Sequence, residues 1–395
     1  MRNVRLSSIF SLATFATVSV AGVALAGCNE DKPSETRTSG AVASAHPERA
    51  PAPPLPPAPS AEPPAVPSAA APIDWQAKLA PDMKKVLDEL ASMKGEPIET
   101  LSAEEARKQP TPTDAVMAIM KRENIKDTLS DKVKIENTSI VGTAGRIPLR
   151  IFTPKDGKGP FPVIVYFHGG GFVVATNDVY QASAEALADG VGAVVVSPEY
   201  GKAPESKFPR AHDDAYDTYI WTLANMTKLH GDPTRVALAG ESAGGNLAAA
   251  TAMQLRDTKQ KMPNELLLVY PVASDDLDTL SEKEDANAKP LNRAMMGWFT
   301  KNYFRTPADG KDARINLVGA NLSGLPPTTI INAELDPLRS DGENLAKKMK
   351  AVGDQVEQKT YPGVTHEFFG MGAVVGEAKS AMTFAVDRLK AGFQK

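Results

Sequence analysis

Val236-Ala237-Leu238-Ala239-Gly240-Glu241-Ser242-Ala243-Gly244-Gly245-Asn246-Leu247 is the stretch on which the reading of this chain turns. Its first four residues form a short apolar run suited to a buried strand, and residues 246–252 are rich in good helix formers. A serine between two such elements sits at a sharp turn. The pattern Gly-x-Ser-x-Gly requires small neighbours, because a strained strand-to-helix bend leaves no room for Cβ atoms beside it. Ser242 Oγ would then project from the top of a sheet over the start of a helix, where free N–H groups and the helix dipole favour developing negative charge. The competing reading is a plain strand-to-helix turn with a serine N-cap.

Outward from this stretch, residues 163–167, 193–197, 266–269 and 328–331 are further short, continuous apolar runs. They alternate with helical stretches at 181–189, 211–224, 245–255 and 341–352. Continuous apolar strands with helices between them imply a parallel sheet covered on both faces. In such sheets chemistry gathers at the carboxyl ends of the strands. Residues 133–141 and 147–152 alternate instead as half-buried strands, joined by a turn at 142–145.

A serine hydroxyl attacks an acyl carbon only with help from a base near neutral pKa, a group that orients the base, and donors for the oxyanion. The histidines are His46, His168, His212, His230 and His366. Only His366 lies late in the chain, in a loop after a strand at 355–360, and it is the expected base. His230 reads as the last residue of a helix before Gly231, and His212 as a surface or supporting residue. Asp336 stands just past the 328–331 strand and is the expected orienting acid, with Asp341 and Glu334 as rivals nearby. Ser242, Asp336 and His366 also follow one another in the order an α/β-hydrolase requires. His168-Gly169-Gly170-Gly171-Phe172 follows the 163–167 strand. Consecutive glycines there let bare N–H groups face a ligand, and with the N–H of Ala243 they would form an oxyanion hole. A flexible loop or a phosphate cradle are the competing readings, but no Lys-Ser/Thr pair follows the glycines. His168 is expected to hold the loop and not to act as the base.

These residues resemble the hormone-sensitive-lipase-like esterases of the α/β-hydrolase fold. The likeness runs from about Ala77 to the C-terminus and rests on specific motifs. They are His168 to Phe172, Glu199-Tyr200, Ala203-Pro204-Glu205, Phe208-Pro209, Ala211-His212-Asp213-Asp214, Gly240 to Asn246, Tyr270-Pro271, Leu325-Pro326-Pro327, Asp336-Pro337-Leu338-Arg339 and the His366 loop. The resemblance implies an α/β fold with a mostly parallel eight-stranded sheet, helices on both faces and a helical cap. It implies a serine carboxylesterase in which Ser242 is the nucleophile, His366 the base and then the acid, Asp336 its orienter, and Gly170, Gly171 and Ala243 the oxyanion donors. Two residues depart from the family pattern. Glu241 precedes the serine where aspartate is common, and Glu367 follows the histidine where glycine is common. A triad of this kind also serves carbohydrate or antibiotic deacetylases and acyltransferases, and a hydrolase scaffold can serve as a non-catalytic ligand-binding protein. Pocket shape chooses among such roles.

The rest of the chain carries other signals. Residues 74–130 are helical in pattern: Pro81 opens a helix that Gly95 closes, Ser102 to Glu105 reads as a capping box, and Thr111-Pro112-Thr113-Asp114 starts another helix. Residues 274–316 interrupt the sheet pattern with Met295-Met296-Gly297-Trp298-Phe299. That apolar face either packs under the sheet or, as the resemblance implies, joins the N-terminal helices in a cap. Phe172, Met295, Trp298 and Phe299 would then line an acyl pocket suited to short or medium chains. Residues 131–395 would form the catalytic domain.

Arg2 and Arg5, an apolar segment and Leu25-Ala26-Gly27-Cys28 make up an export signal at residues 1–27, and the last four residues resemble a bacterial lipobox. The expectation is cleavage before Cys28, lipidation of its thiol and attachment to a membrane, with the outer membrane favoured over the inner because Asn29 replaces the aspartate of retained lipoproteins. An ordinary secretory signal or an uncleaved anchor would also fit. Residues 28–73 are rich in Pro, Ala and Ser and read as a disordered tether. With one cysteine, the chain forms no internal disulfide. A net charge of −4 without a basic stripe gives no footprint for nucleic acid. No metal or cofactor is implied, since the histidines are scattered and no zinc spacing occurs. A small-molecule ester is the expected partner, and the oligomeric state stays open, a dimer included.

Overall fold

The computed structural model describes residues 73–394. The expected export signal, Cys28 and nearly all of the expected tether lie outside the described residues. Eight strands form a single sheet in the order β1-β2-β4-β3-β5-β6-β7-β8. β1 (Val133–Gly142) and β2 (Gly145–Pro154) form an antiparallel hairpin, and β2 pairs antiparallel with β4 (Val194–Pro198). From β4 through β3 (Phe161–Phe167), β5 (Gly231–Glu241), β6 (Glu265–Val269), β7 (Thr328–Leu335) and β8 (Val356–Thr365) every pairing is parallel. This is the expected α/β fold.

The central strands carry continuous apolar runs because both faces are covered. Side chains alternate across a strand, so Val163, Val165 and Phe167 enter the core on one face while Ile164 and Tyr166 enter the core on the other. The first face carries α5 (Arg210–Ala224), α6 (Ala243–Asp257) and α9 (Arg339–Ala351); the second carries α4 (Gln181–Val191) and α10 (Gly376–Gly392). Full burial of each such Val, Leu or Ile contributes about 1.5–3 kcal/mol.

Among the described residues, three α-helices precede the sheet: α1 (Pro81–Ser92), α2 (Ala103–Ala106) and α3 (Pro112–Glu123). Both capping boxes form, Ser102 with Glu105 and Thr111 with Asp114. α1 stops at Ser92, short of Gly95, because Lys94 takes the left-handed conformation at φ 57° that breaks the helical path. Met83 and Val86 of α1 and Ala115 and Ile119 of α3 bury themselves in the core on the α4 and α10 side. The β6 to β7 connection holds α7 (Leu280–Glu284) and α8 (Arg293–Tyr303), and Met296, Phe299 and Tyr303 of α8 join the core of the opposite face. Among the described residues, no helix is long and apolar enough to cross a membrane.

Candidate active site

Ser242 stands between the end of β5 and the start of α6 at φ 58° and ψ −120°, a conformation that a residue with a Cβ seldom adopts. The flanking glycines explain how the chain makes this turn. A Cβ on Gly240 would lie 2.1 Å from the Gly244 carbonyl oxygen, and one on Gly244 would lie 1.9 Å from that of Phe167. Both obstacles are backbone, one in α6 and one in β3, so neither position admits a side chain without moving the helix or the strand.

β7 ends at Leu335, and Asp336 follows it; β8 ends at Thr365, and His366 follows it. The two carboxyl ends therefore face the same serine. His366 Nε2 lies 2.9 Å from Ser242 Oγ, and His366 Nδ1 lies 2.6 Å from Asp336 Oδ2. The other carboxylate oxygen of Asp336 accepts the Leu338 N–H at 2.9 Å, which fixes its orientation. Ser242, His366 and Asp336 are all buried. Burial pulls the His366 pKa down, but the Asp336 carboxylate more than offsets this, with smaller help from Glu367 and Glu241, and the net result is a raised value.

The rival acids are occupied elsewhere. Asp341 accepts the N–H groups of Ala273 and Ser274 at 2.8 and 3.0 Å, while Glu334 accepts the Gly363 N–H and faces Lys78. His168 is buried, with Nδ1 2.7 Å from the Gly169 carbonyl and its ring stacked on Tyr200 at 4.4 Å. His230 is not in a helix: α5 ends at Ala224, and His230 sits at φ 51° in the turn that leads into β5. His212 is not at the surface. It is buried between Asn246 Oδ1 and the Tyr303 hydroxyl, each 3.0 Å from one ring nitrogen, and this burial lowers its pKa to about 4.

Gly170 and Gly171 run past the serine at φ 100° and 57°. A Cβ on Gly170 would meet the Val174 carbonyl at 2.3 Å, and one on Gly171 would meet the Phe299 ring at 2.3 Å. The N–H groups of Gly170, Gly171 and Ala243 have no acceptor among the described residues. Arg107, from the turn after α2, fastens this loop from outside. It donates to the carbonyls of Val173 at 2.8 Å and Ala203 at 2.6 Å, and pairs with Glu205 through two nitrogens. Nothing in the local sequence around Arg107 signals this contact, because its partners lie more than sixty residues away.

A cavity of about 460 Å³ opens over Ser242 and His366. Its walls are mainly apolar and come both from the helices that precede the sheet and from the β6 to β7 connection, with Leu87 and Leu90 of α1 and Met295, Met296 and Phe299 of α8. Phe172 lines it too, stacked on Tyr303 with ring centroids 4.2 Å apart. Trp298 does not line it, contrary to the sequence reading. Its indole faces the segment between α1 and α2, where Nε1 donates to the Leu101 carbonyl at 3.0 Å. The residues of α8 that line the cavity, Met295, Met296, Phe299 and Tyr303, centre on one face, and at about 100° per residue Trp298 falls on the flank of that face.

The two departures from the family pattern are both in this region. Glu241 is buried and accepts hydrogen bonds from the hydroxyls of Tyr166 and Tyr270. Glu367 lines the cavity at φ 67°. Among the described residues, no group of acids, histidines or cysteines is arranged to hold a metal ion.

A family model described as alpha/beta hydrolase fold matches residues 164–370, more than half of the chain. The chain is 36% identical over 248 residues to the carboxylesterase NlhH of Mycobacterium tuberculosis, covering 62% of this chain and 78% of that protein. It is 31% identical over 299 residues to an ethyl acetate hydrolase of Pseudomonas putida, covering 74% and 92%. Among solved structures, an esterase of Pyrobaculum calidifontis superposes with a TM-score of 0.71 at 34% identity, covering 79% of this chain and 98% of that one.

Proposed function

The chain belongs to the α/β-hydrolase family, and from that premise we propose that it is a serine carboxylesterase for short- to medium-chain esters, with Ser242, His366 and Asp336 as its triad. The observation that carries this reading is the continuous line from Ser242 Oγ through His366 to Asp336, facing an apolar cavity of about 460 Å³. The relatives are named for ester hydrolysis, which supports the same reaction here.

Ser242 Oγ attacks the ester carbonyl carbon while its proton passes to His366 Nε2. The carbonyl oxygen becomes an oxyanion, and the N–H groups of Gly170, Gly171 and Ala243 receive it. Loss of one such donor typically costs 10²–10³-fold in rate. As the tetrahedral species collapses, the bond to the alcohol oxygen breaks and His366 returns its proton to that oxygen. Water then attacks the acyl-enzyme, again giving a proton to His366. A second collapse releases the carboxylic acid and restores the Ser242 hydroxyl. Asp336 holds the imidazole with Nε2 toward the serine and stabilises the cation that forms in both halves.

Full-length protein given a p-nitrophenyl ester series should hydrolyse acetate to about octanoate and fall off with longer chains. Turnover that rises toward long chains would refute the proposed chain length.

Outside the described residues, Leu25-Ala26-Gly27-Cys28 supports a second part of the proposal: export, lipidation of Cys28 and attachment to the outer membrane through the 28–73 tether. Labelled palmitate should enter the wild type but not Cys28→Ala, and the labelled protein should fractionate with outer membranes. Label on both chains, or on neither, would contradict it.

A further inference from the structure

Glu367 carries two energetic costs at the reaction centre. Its backbone lies at φ 67°, in the left-handed region that burdens any residue with a Cβ. Its carboxyl is half-buried on the wall of the cavity that holds Ser242 and His366, and its one hydrogen bond among the described residues is a long one, accepted from the Tyr180 hydroxyl at 3.3 Å. Tyr180 in turn lies against the glycine loop, since a Cβ on Gly169 would fall 2.2 Å from that hydroxyl. The carboxyl therefore sits beside both the histidine and the loop that faces the serine.

No lysine or arginine pairs with Glu367 among the described residues. Of the cavity's own cations, Arg107 pairs with Glu205, Lys202 pairs with Glu199, and Lys289 is solvent-exposed. Three further carboxylates line the same space, of which Glu96 is solvent-exposed. Asp275 is neutralised by Lys311, whereas Glu99 takes one hydrogen bond from Asn292 and leaves its other oxygen buried without a partner. The cavity thus offers carboxyl groups that the protein does not neutralise, one of them next to the base. Burial favours the protonated form of Glu367, and a cation placed beside it would favour the carboxylate. An apolar ester gains nothing from this arrangement.

We infer that Glu367 is a specificity-determining residue and that the site prefers esters bearing a protonated amine near the carbonyl over their neutral isosteres. This rests on the esterase reading and refines its substrate class. The ammonium would replace the missing partner of Glu367 while the ester bond lies at Ser242. Charge pairing in a partly desolvated cavity is stronger than in water, which makes it a source of discrimination between molecules of equal size.

β-Alanine ethyl ester and ethyl butanoate differ only by an ammonium in place of a terminal methyl group. Acid release from each, followed near neutral pH in a pH-stat with the full-length protein, gives the two kcat/KM values. The wild type should favour the β-alanine ester, and both Glu367→Gln and Glu367→Gly should lower the ratio by about tenfold or more. Glutamine keeps the shape without the charge, and glycine suits the backbone angle, so the two variants reach the same test by different routes. A wild type that favours ethyl butanoate overturns the proposal without recourse to any variant. An unchanged ratio, with both esters slowed together, overturns it as well and assigns Glu367 to His366 alone. Absence of Ser242-dependent turnover of either ester would instead remove the esterase reading, and the proposal with it.

Discussion

Gly244 and Phe167 approach so closely that a Cβ on Gly244 would lie 1.9 Å from the Phe167 carbonyl oxygen. The second glycine of the turn is therefore the point at which α6 rests on the end of β3. Gly244→Ala forces the helix and the strand apart, and overpacking of this kind costs about 1–3 kcal/mol. The variant should melt at a lower temperature and lose most of its kcat, because Ser242 moves with the helix. Wild-type melting and turnover would show that the turn has slack these distances deny.

Asp336 and His366 set the acid limb of the pH profile. The imidazole must be neutral to accept the Ser242 proton, so the rate rises as pH rises through the His366 pKa. Asp336 holds that pKa above the ordinary imidazole value. Asp336→Asn should lower kcat by about 10⁴-fold and move the acid limb of kcat/KM to lower pH. A limb that stays in place would mean that Asp336 does not act on His366 electrostatically.

Three buried acids near the start of α9 should make the protein less stable as pH rises. Burial pushes Glu282 to about 9, Asp341 to about 7 and Asp285 to about 6, with neighbouring carboxylates reinforcing each shift. Acids whose folded pKa values are raised give stability that is complete below their unfolded values and is lost as pH climbs through the folded ones. The melting temperature should therefore fall between about pH 6 and pH 9. Glu282→Gln, which copies the protonated form, should gain roughly 2 °C or more over wild type at the upper end. Equal melting curves across that range would refute the assignment.

Much of this architecture is legible in the sequence because its signals are local. Five central strands are continuous apolar runs, and the turn at Ser242 declares itself through glycines that the distances show to be required. Element ends were less legible. β5 begins at Gly231, five residues before its apolar run, because the polar Asp232 to Arg235 segment hides a backbone pairing between Gly231 and Phe161. β8 likewise continues through Pro362 and Gly363 to Thr365, where those two residues suggest a loop. The burial of His212 and the outward turn of Trp298 depend on Tyr303, Asn246 and Leu101, none of them a near neighbour in sequence. Contacts of that range leave no periodic trace.

Arg107 joins the helical segment that precedes the sheet to the loop that carries Gly170 and Gly171. Its links to Val173 and Ala203 are charge-assisted and half-buried, while Glu205 is largely exposed and adds little. Arg107→Ala should cost about 1–3 kcal/mol in stability and lower kcat more than it raises KM, because the loop loses its external brace. A change in KM alone would place Arg107 in substrate binding and remove its positioning role.

The most direct test of the account is covalent. A p-nitrophenyl alkylphosphonate offers the serine an acyl-like centre that cannot be hydrolysed after attack, so the labelled residue identifies the nucleophile. Full-length protein treated in this way should carry one phosphonyl group on the peptide containing Ser242, lose its p-nitrophenyl butyrate turnover in parallel, and take up no label as Ser242→Ala. Label on another residue, or ester turnover that survives in Ser242→Ala, would contradict the central claim.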